Sequence, residues 1–410
     1  MPRTKQILDI ESFPLILLNC SRSLKSMKMK HLLQTSVFIL LINFVGAQAI
    51  YESIYSSKLE EEREIKLQLP RNYNVDDKVA YPLVIVLDGD YLFEPVAGNI
   101  DFQSYWDDMP GCIIVGINQA ETRDTDLEFS DDMNLPTRDS SKFFEFVGME
   151  LLPYLEGKFD LTPFRVIVGH DLSANFLSYY LLKEVPLFRA YIALSPEFAP
   201  ETSRRISERL PEMTEETFYY LATSDADIKV LREDILEADG LLKNVSNEKI
   251  HYKFDDFQDA NHYSLVGRAI PKALNEIFAM FKPINGKEYK EKVLTFSGTP
   301  FEYLTKKYDD IEYFYGFKKP VIENDLRAIA AACEKKNDEE SLEKLAKLAQ
   351  KTYPDSMIGA YYLGLYYETA GRPKKALQRY QSGLLLTPSQ FIDKDVLLDK
   401  IYKIKDEFGN

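Results

Sequence analysis

Arg165-Val166-Ile167-Val168-Gly169-His170-Asp171-Leu172-Ser173-Ala174 is an unbroken apolar run that stops in a cluster of small and polar residues. Arg165 to Gly169 has the continuous hydrophobic pattern of a strand buried on both faces. The residues from Leu172 to Lys183 read as helix. Gly169 and Ser173 stand two places before and two places after Asp171. Small side chains at both positions let a chain turn sharply from strand into helix and leave the central residue exposed above a sheet. Asp171 is therefore predicted to crown a strand–turn–helix junction.

The same alternation extends outward in both directions. Glu64-Ile65-Lys66-Leu67-Gln68-Leu69 alternates in polarity, as a half-exposed edge strand does. Pro82 to Leu87, Cys112 to Ile117, Ala190 to Leu194 and Phe218 to Ala222 are further apolar runs. Ile250 to Phe254 and a helix over about Ser264 to Phe281 close the series. Strands alternating with helices predict an α/β fold, a doubly wound and mostly parallel sheet covered on both faces, over residues 50–283.

Residues 284–318 break this pattern. Seven of the 17 residues from Phe301 to Phe317 are aromatic, which predicts a packed connector and not a flexible linker. Residues 319–410 are helical in pattern. Gly364, Tyr367, Ala376, Tyr380, Gly383 and Pro388 carry the small/aromatic spacing of a tetratricopeptide repeat. A shift of roughly 34 residues, the length of that repeat, places Ala330, Leu342, Ala346, Ala349 and Pro354 at matching positions. A degenerate first repeat over Leu326–Pro354, a second over Met357–Pro388 and a capping helix over 391–406 are expected; a plain helical hairpin is the competing reading.

The N-terminus reads as an address. Within Met27–Ala49, Lys28 and Lys30 precede an apolar core, Val37–Val45, and Ala47-Gln48-Ala49 offers a small-x-small cleavage site. That is the layout of a secretory signal peptide, starting at Met27 or Met29, and the apolar core is short for a retained membrane anchor. Residues 1–49 are thus excluded from the fold, and the protein is expected to be exported, periplasmic or secreted. The whole chain of 410 residues has 65 acidic and 50 basic side chains, a net charge of -15. Removing the leader leaves 63 acidic and 44 basic residues, a net charge of -19. This balance favours solubility and argues against nucleic acid as a partner. Cys112 and Cys333, the two cysteines past the leader, are expected to be buried free thiols. No cysteine or histidine spacing points to a metal, and no cofactor is expected.

A strand–turn–helix with small residues around its crest is the nucleophile elbow of α/β-hydrolases, whose pattern is G-x-S-x-G. Over about residues 55–283 the chain resembles the putative-esterase family of that fold, which includes esterase D-like, siderophore and feruloyl esterases. Leu87-Asp88-Gly89-Asp90 with Phe93 is similar to the family's LDGD segment, Thr122-Arg123-Asp124 to the loop after the next strand, and Gly169-His170-Asp171-Leu172 to its GHSL elbow. Asn261-His262-Tyr263-Ser264-Leu265-Val266 resembles its ENHGSV segment. The resemblance implies Asp171 at the nucleophile position, His262 as base, and Asp227 as acid with Asp225 as the alternative. It implies oxyanion and binding roles for Gly89, Asp90, Tyr91 and Leu172. His170 and His251 are expected to be structural.

The departure is Asp171, where the family has serine. A carboxylate attacking an ester carbon would form a high-energy anhydride, so ester hydrolysis is expected to be lost or crippled. A carboxylate can instead displace a leaving group from an alkyl carbon. The α/β-hydrolases that do so carry a large cap, and only 23 residues separate Leu194 from Phe218. Ser173 is expected to satisfy the turn and face away from His262, and an Asp171–His262 ion pair is expected in the site. The candidate roles are therefore a ligand-binding protein that accepts a small ester-like molecule, a hydrolase of esters or alkyl substrates, and an interaction protein that engages a peptide or protein through 319–410.

Overall fold

The computed structural model describes residues 49–408 apart from residues 72 and 131. The expected leader, with Cys20 and His31, lies outside the described residues except for Ala49. The strands are β1 (Ile50–Ser56), β2 (Glu61–Gln68), β3 (Tyr81–Val86), β4 (Ile113–Ile117), β5 (Leu161–His170), β6 (Ala190–Leu194), β7 (Thr217–Ala226) and β8 (Ile250–Asn261). They form one sheet in the order β1-β2-β4-β3-β5-β6-β7-β8. β1/β2 and β2/β4 pair antiparallel, and every other pairing is parallel.

Alternate residues of the central strands feed two cores, as the period of a strand requires. Leu83, Ile85, Ile113, Val115, Ile167, Tyr191 and Leu221 face one side. Val84, Val86, Ile114, Val166, Val168, Ile192 and Tyr220 face the other, beneath the helices Gly89–Tyr105 and Val266–Ile277. The sequence stretch Glu64–Leu69 is not an edge strand: β2 lies between β1 and β4, and β1 takes the edge. Its polar half is Glu64, Lys66 and Gln68, of which Glu64 is exposed but Lys66 is buried in an ion pair with Glu94.

The helix Pro300–Tyr315 begins with a capping box between Thr299 and Glu302 and ends at Gly316 in the left-handed region, φ 75°. Helices Glu323–Lys336, Glu339–Thr352, Met357–Thr369, Pro373–Gly383 and Lys394–Phe408 then build a third, all-helical core. Gly364 is needed where two of these helices cross, because a Cβ there would meet the Tyr380 ring at 2.3 Å. Cys112 and Cys333 are buried free thiols. Among the described residues no helix is long and apolar enough to cross a membrane.

Candidate active site

β5 ends at His170, and the helices Leu172–Phe176 and Ser178–Leu181 follow it. A Cβ on Gly169 would lie 2.5 Å from the Ser173 carbonyl oxygen, so only glycine permits so close a return of the helix. Asp171 sits at φ 62°, ψ -125°, a strained backbone state that costs about 1–3 kcal/mol and needs fixing by its surroundings. Its N–H donates to Leu194, and its carbonyl accepts from Ala174, Asn175 and Glu197. Ser173 Oγ is used by the turn itself, donating to His170 O and accepting from His170 N, both at 2.9 Å.

The Asp171 carboxylate meets two groups. Oδ2 is 3.3 Å from Arg123 Nη2, and Oδ1 is 3.9 Å from His262 Nε2, within ion-pair range but too far for a hydrogen bond. The expected Asp171–His262 pair is thus present only at long range, and Arg123 is the nearer cation. Arg123 opens the short helix Arg123–Leu127 that follows β4 and lays its fork on Asp88, at 2.7 Å from Nε and 3.2 Å from Nη2. Burial opposes the Arg123 charge, but Asp88 keeps its pKa above the ordinary value. Asp88 is itself buried and held in the left-handed region, φ 52°.

Behind the histidine, Nδ1 is 2.9 Å from Asp227 Oδ1 and 3.0 Å from Ser195 Oγ. Burial alone would raise the Asp227 pKa. Hydrogen bonds from His262, Ser195, Thr223 and the Ile228 N–H outweigh it and hold the carboxyl down at about 2. Asp225 is exposed at the end of β7 and is not brought to the histidine. His170 is buried, with Nδ1 3.1 Å from the Tyr91 hydroxyl and Nε2 3.0 Å from the His262 carbonyl, so it braces the loop that carries His262. Burial and the neighbouring His262 lower its pKa. His251 lies away from the site, bonded to Glu216 and stacked on Phe218.

The N–H groups of Gly89, Asp90 and Leu172 open two helices at the site, and among the described residues none has a protein acceptor. Helix N-termini so placed can bind a carbonyl oxygen or an anion. The Tyr91 N–H differs from that expectation because it is taken by Asp88 O; Tyr91 instead bridges Asp88 and His170 through its hydroxyl. The Asp90 side chain turns the other way, accepting from the N–H groups of Gln119 and Ala120. Glu197 completes the rim, and burial followed by the nearby Asp171 raises its pKa. No group of histidine, cysteine and carboxylate side chains suited to a metal ion occurs among the described residues.

Three contributors went unread in the sequence: the Arg123–Asp171 contact, Ser195 and Glu197. Each reaches the elbow from another strand end, and a single sequence carries no signal for such pairings.

A strained crest residue after a parallel strand, with a histidine–aspartate pair arriving from later strands, defines an α/β-hydrolase fold. Residues 56–253 match the family described as "Putative esterase", so this part of the chain is an esterase-family α/β-hydrolase region. An uncharacterised protein from Capnocytophaga ochracea has a similar structure, with 31% sequence identity, 88% of this chain and 100% of that chain covered, and a TM-score of 0.75. An IroE-like serine hydrolase from Shewanella oneidensis shares the fold at 21% identity, with 74% and 99% covered and a TM-score of 0.58. The BES protein from Bacillus cereus matches at 22% identity over 56% of this chain and 95% of its own, with a TM-score of 0.50. No curated protein matches the sequence.

Proposed function

We propose that this is an exported esterase-family protein that has lost serine-ester hydrolysis and uses the elbow site to hold a ligand with a carbonyl or related oxygen. The observation that carries this reading is the partnering of Asp171. A carboxylate fixed beside Arg123 is a poor nucleophile toward an ester, and its product would be an anhydride. Among the described residues no hydroxyl is hydrogen-bonded to His262 Nε2, since Ser195 lies on the Nδ1 side and Ser173 is consumed by the turn. The free N–H groups of Gly89, Asp90 and Leu172 supply what a carbonyl oxygen needs. Export is supported by the signal-peptide layout of Met27–Ala49.

The test compares the wild type with Asp171→Ser on p-nitrophenyl acetate and butyrate and with a fluorophosphonate probe. The wild type is expected to give background turnover and no labelling. Asp171→Ser places a hydroxyl opposite His262 and is expected to raise turnover at least about tenfold and to be labelled. Robust wild-type turnover that His262→Ala abolishes would overturn the reading.

A further inference from the structure

The opposite end of the sheet carries a cavity. It has a volume of about 340 Å³ and lies below the N-terminal end of β3, where the aromatic connector leaves the helix Pro300–Tyr315. Tyr81, Pro110, Phe281, Phe317 and Ile322 form apolar walls, and the Phe281 and Phe317 rings lie 6.1 Å apart. That volume is at the small end of ligand cavities, and such a lining is typical of them.

Two lysines line this space, and Lys319 is the one whose ammonium packs on an aromatic wall. Lys319 Nζ lies 3.7 Å above the centre of the Phe281 ring and donates to the Phe281 carbonyl at 2.6 Å. An ammonium has three donors, and among the described residues no carboxylate stands within 4 Å of this one. The other nearby cations are engaged, Lys318 with Glu312 and Lys307 with Glu288. Asp325 is satisfied by the Ile284 N–H, Tyr308 and Asn324. Asp107 also lines the cavity but is exposed to solvent at its rim, where water screens it. Lys319 is partly buried, and its ammonium meets apolar walls with no carboxylate in direct contact, so an incoming anion would gain a charge-assisted partner there.

We propose that this cavity binds a small carboxylate with an aromatic or branched apolar body, its carboxylate paired with Lys319 and its body between Phe281, Phe317 and Ile322. The site is independent of the elbow chemistry. Burial holds the Lys319 amine down at about 8, while Asp325, Asp107 and Asp108 favour its charged form.

Isothermal titration of the full chain with 4-phenylbutyrate and with its neutral analogue 4-phenylbutanol tests the proposal. The carboxylate is expected to bind at least about tenfold more tightly than the alcohol, the discrimination typical of a charge-assisted pair. Lys319→Met should erase that preference, Lys319→Arg should keep most of it, and Ile322→Phe should weaken both ligands by filling the cavity. Equal affinity of the wild type for the two ligands would overturn the proposal, as would undiminished carboxylate binding in a folded Lys319→Met protein. Absence of binding by either ligand up to millimolar concentration would also overturn it. Because Asp171→Ser leaves this cavity untouched, failure here and failure of the elbow-site reading are separable results.

Discussion

Arg123 shows how much of the elbow depends on a residue from outside it. Its guanidinium is about one-quarter exposed, whereas the Asp88 side chain beneath it is 2% exposed. Removing the cation leaves a buried carboxylate unpaired, so Arg123→Met is expected to cost about 3 kcal/mol in urea unfolding. Adding Asp88→Asn should restore at least half of the loss, because an amide needs no counter-charge; strict additivity of the two variants would refute the coupling. Asp227 gives a second residue-scale prediction. Its folded pKa of about 2 lies below the ordinary aspartate value, so its stabilisation is complete above about pH 4 and fades as pH falls toward 2. The stability difference between the wild type and Asp227→Asn is therefore expected to shrink by on the order of 2 kcal/mol across that window. A pH-independent difference would show that the carboxylate charge is not what these hydrogen bonds serve. Asp171, Gly169 and Ser173 were legible because their relation is local and spaced along one turn. Ser195, held at φ 43° between Asp227 and His262, was not, since nothing in Leu194-Ser195-Pro196 encodes which strand end will face it.

Among the elements, the junction of β5 with the helix after it carries the tightest steric demand. Gly169→Ala would drive a methyl group into the carbonyl and following amide of Ser173 and Ala174, at 2.5 to 2.8 Å, and backbone atoms cannot swing aside. The expected loss is about 2–3 kcal/mol, with any esterase activity gained by Asp171→Ser lost in the combined variant. Gly98 supplies the opposite case: it lies inside the helix Gly89–Tyr105 with nothing within 4 Å of an added Cβ. Gly98→Ala is expected to stabilise by up to about 1 kcal/mol through helix propensity and a less flexible unfolded chain. Thermal melts of both variants read the two signs, and equal effects would contradict this reading of the turn. The apolar strand runs were readable because burial on both faces leaves no polar position. β2 was misplaced because a buried ion pair, Lys66 with Glu94, stands in the polar half of its alternation, and polarity alone does not say whether a charge is solvated or paired.

At the scale of the molecule, the helix Pro300–Tyr315 ties the sheet to the all-helical core. Leu304 enters the helical core, whereas Ile311 and Tyr315 enter the core beneath the sheet. Tyr315 packs its ring against Phe164 and Phe278 at 5.1 and 5.3 Å and donates its hydroxyl to Ile277 O at 2.8 Å. The aromatic density of Phe301–Phe317 announced packing, but a composition cannot say that one helix serves two cores, because that depends on where each side chain lands around its axis. A shared helix transmits unfolding from one core to the other, so residues 49–408 are expected to melt in a single calorimetric transition. Tyr315→Ala removes a buried ring and its hydrogen bond, at a cost of about 3–5 kcal/mol. If the helix is the coupling, that variant melts in two steps, with the sheet region first and the helical region near its original temperature. A single transition shifted as a whole would instead mean that the two cores are joined through other contacts, and that Tyr315 stabilises the molecule without linking its parts.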